Sequence, residues 1–334
     1  TGFCKWPINS NWPGLDGVPG EFWKAVLKPG SHAAAIVTRF CSLCWETKDI
    51  PEDWRRAQVA MLFKKDDPSL CDNYRPISLI SVGYKLFANV LLERLRSAGA
   101  EERLWKTQFG FKRQRGTNDA LFVVRRILEQ IAAQRDGHAV LLALDWAKAF
   151  DSISPAALSQ ALARFGIPLP FAAMVEAIYR DRQFVVKDGG HTSEWHDQKY
   201  GISQGCPLSP FLFVVVMTIL LQDAKKELET EHGIRPAGVC SIGELVYADD
   251  TLLVDVSAEV VDRFMQCISK AGSQYGLSFN WSKLEAMPIN MEVTIEKPDG
   301  EPVKTKDLLK YFGCHLSSDG RVGSELGRKH GQEI

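Results

Sequence analysis

No run of apolar residues in this sequence is long enough to cross a bilayer. The longest, 211–221, has 11 residues and contains Thr218, whereas a spanning helix needs about 20; no membrane partner is expected. There is no excess of either charge. Forty Lys and Arg stand against 41 Asp and Glu, a net charge of −1, so no global basic field announces a polyanion, and any nucleic acid must be met by local basic residues. Internal repeats, low-complexity tracts and an opening secretory signal are all lacking. The eight cysteines supply one C-x-x-C, Cys41 and Cys44, with no second pair. A structural zinc site wants four ligands, so reduced thiols in an intracellular protein are expected. The chain begins and ends without obvious caps, as a piece of a longer polypeptide would.

What is present is a globular composition, 45% hydrophobic and 24% charged over 334 residues. That is enough for a sizeable core and one to three domains. A turn-rich entry leads to a helical start near Glu21, and a second helix is expected from Ser31 to Trp45. Residues 55–65 read as a strand and 71–79 as an extended, Pro-marked loop. Ser81 caps a helix to about Ser97, and Thr117 heads another. Residues 138–151 form a buried-looking strand running into an acid. Ser154-Pro155 opens a helix that closes at Gly166, a further helix follows from about Leu169 to Asp181, and a hairpin turns at 188–190. Ser209-Pro210 starts a nearly all-apolar helix, and Ser257 caps one that Gly276 stops. "LSFNWSKLEAMPI" and "KYFGCHLSSDG" read as paired strands. The order implies an α+β domain with helices on one face of a mostly antiparallel sheet.

Two carboxylates, Asp249 and Asp250, interrupt the apolar run "LVYADDTLLV" (245–254). Buried like charges repel and are costly unless compensated. A second acid, Asp145, ends the apolar run in "LLALDWAKAFD" (141–151), so both acidic sites can terminate adjacent central strands. Oxygen ligands alone select hard cations such as Mg²⁺. Two such ions roughly 3.5–4 Å apart suit in-line phosphoryl transfer. On spacing alone, an ordinary turn and a metal site both stay open.

The motifs resemble those of reverse transcriptases. "YADD" (247–250) resembles the catalytic box, "ALDWAKAFDSI" the first aspartate motif, and "GISQGCPLSPFLF" the Gln-Gly-Pro loop and helix. "GLSFNWSKLEAM" is similar to the lysine-bearing motif, and "KYFGCHL" to the primer-grip hairpin. Upstream, "GLDGVPGEFWKAV", "NYRPISLISVGYKLFANVLLERL" and "TQFGFKRQRGTNDAL" resemble segments of non-LTR (LINE-type) retrotransposon enzymes. The motifs occur in order over roughly residues 14 to 320.

The resemblance implies a right-hand polymerase: an N-terminal extension and fingers over 1–138, a palm over 139–290 with a fingers insertion at about 152–203, and a primer-grip hairpin with the start of a thumb over 291–334. It implies an RNA-directed DNA polymerase that copies element RNA from a DNA 3′-hydroxyl, using dNTPs and two Mg²⁺ ions, with Mn²⁺ as a substitute. Asp145 and Asp249 would bridge the metals, Asp250 would support them, and the Trp146 carbonyl would be a further ligand. Phe150 matches the steric gate against a ribose 2′-hydroxyl. The Lys148 and Ala149 amides would meet the triphosphate, and Gln204 and Gly205 would lie against the incoming nucleotide. Lys64 or Lys65, with Arg75, would neutralise its charge. Lys283 matches the general acid for pyrophosphate. Tyr311, Phe312 and Gly313 would position the primer end, and Tyr247 belongs with the nucleic-acid-binding residues.

From Lys106 to Arg126, both included, there are six basic residues and one acidic one; Lys112, Arg113 and Arg115 are expected to touch the template backbone in a salt-sensitive way. Other residues have plainer readings. Asp255 is expected on the solvent face of the return strand, Asp151 as a cap or ion-pair partner, and His191 and His196 on the surface. Flanking endonuclease and C-terminal domains are expected outside the chain, and the nucleus and a cytoplasmic ribonucleoprotein are the expected locations. Three rivals stand beside this reading: a catalytically silent nucleic-acid-binding relic, an intron-maturase-type RNA-binding enzyme, and an RNA-synthesising polymerase.

Overall fold

A computed structural model describes residues 14–318 apart from Gly313. Its chain groups into two compact units, one made of 1–100 and 150–213, the other of 101–149 and 214–334.

The first unit is built on a sheet whose middle strand, Arg56–Phe63, pairs antiparallel with Tyr74–Leu79 and parallel with Gln183–Asp188. The segment expected as an extended loop is therefore largely a strand. It lies at the edge of the sheet, where the missing N–H of Pro76 breaks no ladder. Asp188 pairs with His191 across Gly189 and Gly190, both at positive φ (52° and 87°), the backbone that a two-residue hairpin turn demands. Helix caps follow the sequence signals. Ser31, Ser81 and Ser154 accept the amides of Ala34, Tyr84 and Ala157, each at 3.1 Å, ahead of helices His32–Thr47, Val82–Ser97 and Pro155–Phe165. His191 and His196 are exposed, as expected of surface residues.

The second unit holds a five-stranded sheet in the order Lys304–Thr305, Glu285–Ile289, Ala139–Leu144, Asp250–Asp255, Glu244–Tyr247. All its pairings are antiparallel except the outermost one, Lys304 with Glu285. The central strand is apolar throughout because both of its faces are covered. Ala139 and Leu141 join a core with Leu121, Val124 and Leu128 of helix Thr117–Ala133, and Val140 and Leu142 are equally inaccessible. Helices on one face alone would have left alternate residues wet. Helix Ala258–Gln274, capped by Ser257, packs on the same two central strands. Only part of the "LSFNWSKLEAMPI" segment is a strand, Glu285–Ile289; a 3₁₀ turn, Trp281–Lys283, precedes it. Leu308–Tyr311 and Cys314–Ser317 form a separate hairpin.

The apolar helix Ser209–Thr230 is inaccessible over 211–217. Thr218 fits its buried course because its hydroxyl donates to the Val214 carbonyl at 2.7 Å and accepts the Trp105 amide at 3.1 Å. Among the described residues no helix is long and apolar enough to cross a membrane.

Candidate active site

The three acidic side chains come together in the second unit by strand register. Val140 pairs with Asp255 and Leu144 with Thr251. The ladder ends at that pair, Asp145 follows Leu144 directly and Asp250 precedes Thr251 directly, and the Asp145 charge acts on the Asp250 carboxyl. Asp250 begins the return strand, and Ala248 and Asp249 make the two-residue turn after Tyr247. The backbone of Asp145 is fixed from its other side. Its carbonyl accepts the Asn280 amide at 2.8 Å, and the Ala147 amide donates to Ser278 at 2.9 Å. The Trp146 ring sits 4.3 Å from that of Phe279. Gly272 makes room for this indole, since a Cβ there would come within 2.7 Å of it.

Mutual repulsion marks the cluster electrostatically. Partial burial, then Asp249 and Asp145, push the Asp250 carboxyl up from 3.8 to about 6. Such a set of crowded oxygen donors fits a hard divalent cation, which relieves the repulsion and needs no softer ligand. Lys283 supplies a nearby positive charge, its Nζ 3.5 Å from Asp145 Oδ2 and largely exposed. Lys148, at φ 50°, is exposed, and Ala149 is buried.

A pH dependence follows from the raised Asp250 value. The protonated carboxyl persists to higher pH in the folded chain than in the unfolded one. Without metal, the stability this group withholds at neutral pH is recovered as pH falls from about 6 toward 4. Asp250→Asn is expected to raise the melting temperature in EDTA at pH 7.5 and to raise it by clearly less at pH 4.5, which thermal denaturation at the two pH values reads directly.

The first unit carries the other expected substrate residues. Phe150 stacks on Phe213 with ring centres 4.5 Å apart and planes 12° from parallel, and its carbonyl accepts the Ile202 amide at 2.7 Å. Gln204 donates to both Asp151 oxygens at 3.2 Å, and its carbonyl accepts the Ser78 amide at 2.8 Å. Asp151 thus anchors a loop. Gly205 has φ 125°, and a Cβ there would stand 2.4 Å from the Ser78 carbonyl oxygen, so the loop can lie on its neighbouring strand only with glycine. Lys64, Lys65 and Arg75 are exposed along the hairpin of Arg56–Phe63 and Tyr74–Leu79, Lys65 beside Asp66 at 3.8 Å.

Two residues lie deeper than their sequence context suggests, and for Asp255 this overturns the expected solvent-facing position. Tyr311 is buried in the second unit's core and touches Phe312 with ring centres 3.9 Å apart. A side chain so enclosed supports the hairpin from within. Phe312, at φ 51°, meets Tyr247 at 4.9 Å, and Gly313 lies outside the described residues. Asp255 is buried, not on a solvent face, and accepts the amides of Gly238 at 2.8 Å and Ser257 at 3.0 Å. In the basic stretch, Arg113 is exposed, while Arg115 donates to the Lys106 carbonyl at 3.1 Å and lies over the Phe109 ring. Burial, then Arg115, lowers the Lys112 pKa.

Glu227, His232 and Cys267 offer ligand atoms within 4.8 Å of one another. Lys270 already pairs with Glu227 at 2.8 Å, and burial raises the Cys267 thiol to about 11, so no metal is assigned there.

The sequence model of the family described as "Reverse transcriptase (RNA-dependent DNA polymerase)" matches residues 63–316. The chain belongs to the reverse transcriptase family. Among its relatives, the "Transposon TX1 uncharacterized 149 kDa protein" of Xenopus laevis is 28% identical over 92% of this chain and 23% of its own length. The "Retrovirus-related Pol polyprotein from type-2 retrotransposable element R2DM" of Drosophila melanogaster is 25% identical over 94% of this chain and 29% of its own. This reverse transcriptase segment therefore spans about a quarter of the length of those relatives. The solved telomerase of Candida tropicalis in complex with a fragment of telomeric RNA superposes with a TM-score of 0.56 at 12% identity, over 85% of this chain and 47% of that one. The fold is accordingly the α+β right-hand polymerase fold, and the carboxylate cluster sits on its central antiparallel sheet.

Proposed function

We propose that the chain is the RNA-directed DNA polymerase domain of a LINE-type element, extending a DNA 3′-hydroxyl along element RNA. One observation supports this reading: Asp145, over a hundred residues from Asp249 and Asp250, follows the strand that pairs with theirs, and its charge acts on the Asp250 carboxyl. Asp145, Asp249, Asp250 and the Trp146 carbonyl would hold two Mg²⁺ ions, or Mn²⁺ in their place. When bound, these supply activation of the primer hydroxyl and stabilisation of the leaving pyrophosphate.

The chain's own groups do the rest. Lys283 holds a proton beside the carboxylates and gives it to the departing pyrophosphate. Lys64, Lys65 and Arg75 offer positive charge to the triphosphate, and the Lys148 and Ala149 amides donate to it. Gln204 and Gly205 present a loop braced by Asp151 to the nucleotide. Phe150, held flat against Phe213, turns away a 2′-hydroxyl. Tyr247 and Phe312 line the primer side, and Lys112, Arg113 and Arg115 the template. An RNA template is supported by the family's description as an RNA-dependent DNA polymerase. The DNA primer, the flanking endonuclease and C-terminal domains, and a nuclear and ribonucleoprotein setting rest on the likeness to retrotransposon relatives.

Primer extension on poly(rA)/oligo(dT) with Mg²⁺ tests the proposal. Incorporation of dTTP is expected; retained binding without incorporation would identify a silent relic. Phe150→Ala is expected to admit UTP alongside dTTP, raising its relative efficiency by about tenfold or more, since a missing contact of 1–3 kcal/mol carries that much discrimination. Nucleotide choice unchanged from wild type would remove Phe150 from the gate.

A further inference from the structure

Gln108 lies in the second unit with no exposed surface, a buried polar side chain for which the proposed chemistry has no use. Both ends of its amide are engaged, and three hydrogen bonds tie it to Ala248 and Gly110. Oε1 accepts the Ala248 amide at 2.8 Å and the Gly110 amide at 2.8 Å, while Nε2 donates to the Ala248 carbonyl at 3.3 Å. One side chain thus satisfies both backbone groups of the residue that precedes Asp249.

That residue needs the support. Ala248 has φ 59°, a left-handed backbone that a non-glycine residue adopts only when its surroundings impose it. The turn it opens carries two like charges, with a third across the ladder, so repulsion works against its closure. The main chain around Gln108 approaches closely. Val246 N donates to Thr107 O at 3.0 Å, and Phe109 N donates to Val246 O at 2.8 Å, so 107–109 run alongside Glu244–Tyr247 beyond the named strands of the sheet. A Cβ on Gly110 would stand 2.3 Å from the Ala248 nitrogen. Buried Glu244 secures the near end of the segment, accepting from Trp105 Nε1 at 2.9 Å and Thr107 Oγ1 at 3.2 Å.

We infer that Gln108 is a positioning residue: it clamps the Ala248 peptide groups and so fixes where Asp249 and Asp250 stand relative to Asp145. The inference rests on the active-site reading above and deepens it. Carboxylates that receive a cation must already be at ligand spacing, and the outer groups that orient them commonly control affinity by about 10- to 100-fold. Gln108 never touches the cation; it acts through the turn.

Tb³⁺ alone serves as the probe, a hard cation whose luminescence is sensitised by tyrosine and tryptophan, here Tyr247 and Trp146. Binding is read without primer, template or turnover, in parallel with single-turnover extension and the melting temperature. Gln108→Leu is expected to weaken Tb³⁺ binding by about tenfold or more. It should also slow extension by about a hundredfold, the usual scale for a catalytic group displaced by an ångström, with the dNTP KM little changed. Gln108→Asn, too short to reach Ala248 but still polar, carries the same expectation should Gln108→Leu fail to fold. Ile131→Ala, in the same core but away from the turn, should lower the melting temperature and leave Tb³⁺ affinity alone. Wild-type Tb³⁺ affinity in a folded Gln108 variant, or equal loss in Ile131→Ala, would overturn the inference while leaving the active-site reading intact. A Tb³⁺ signal that survives Asp249→Ala would overturn both.

Discussion

Asp145→Ala and Asp249→Ala each take primer extension down by about a thousandfold or more. The magnitude follows from what the carboxylates would hold. Metal stabilisation of the reacting oxygens is worth several kcal/mol, and each 1.36 kcal/mol is about tenfold in rate. Both residues are expected to matter equally, although they come from different segments, because both charges act on the same neighbouring carboxyl, Asp250. The loss should appear in the single-turnover rate at saturating primer, template and dNTP. The melting temperature in EDTA should rise or stay level, since each substitution removes a like charge that, after burial, helps push Asp250 to about 6. Normal extension by either variant would contradict the role; a falling melting temperature would mean the residue was needed for the fold.

Lys283→Ala is expected to slow the chemical step by roughly 10²–10³-fold, within the usual range for a positioned general acid, with nucleotide affinity little changed. Lys283 stands 3.5 Å from Asp145 Oδ2 on the 3₁₀ turn that leads into Glu285–Ile289. An exposed ion pair of that kind contributes little to stability, so the variant should melt near the wild-type temperature. Lys283→Arg separates the two uses of the charge. A guanidinium keeps the attraction to Asp145 and does not release a proton near neutral pH. Restored rate in the arginine variant would make Lys283 an electrostatic partner of Asp145, and an unchanged rate in the alanine variant would remove it from the mechanism.

The carboxylates were legible in the sequence because charge inside apolar strands is anomalous, and the helix starts because capping serines act locally. Less legible were features that depend on residues far apart in the chain. Asp255 looks solvent-facing within its own strand, yet its oxygens are taken by the amides of Gly238 and Ser257. Gln108 meets Ala248 across 140 positions, and no local pattern marks a polar side chain as the future partner of a turn. The only hint is a glutamine directly ahead of the Phe-Gly-Phe run in "TQFGF". Pro76 misleads in the opposite direction: it suggests a loop until the sheet order shows its strand at an edge. Tyr311 resembles a primer contact by motif, but packing on Leu309 and Leu316 encloses it. Motif position identified the hairpin correctly and left open which of its rings faces outward.

The account stands on divalent cations held jointly by Asp145 and Asp249. An anomalous diffraction map of the protein crystallised with Mn²⁺ and a non-hydrolysable dNTP tests this most directly. It should show Mn²⁺ peaks in contact with carboxylate oxygens of both Asp145 and Asp249. Peaks that touch neither residue, or that contact Asp249 with Asp145 turned away, would contradict it.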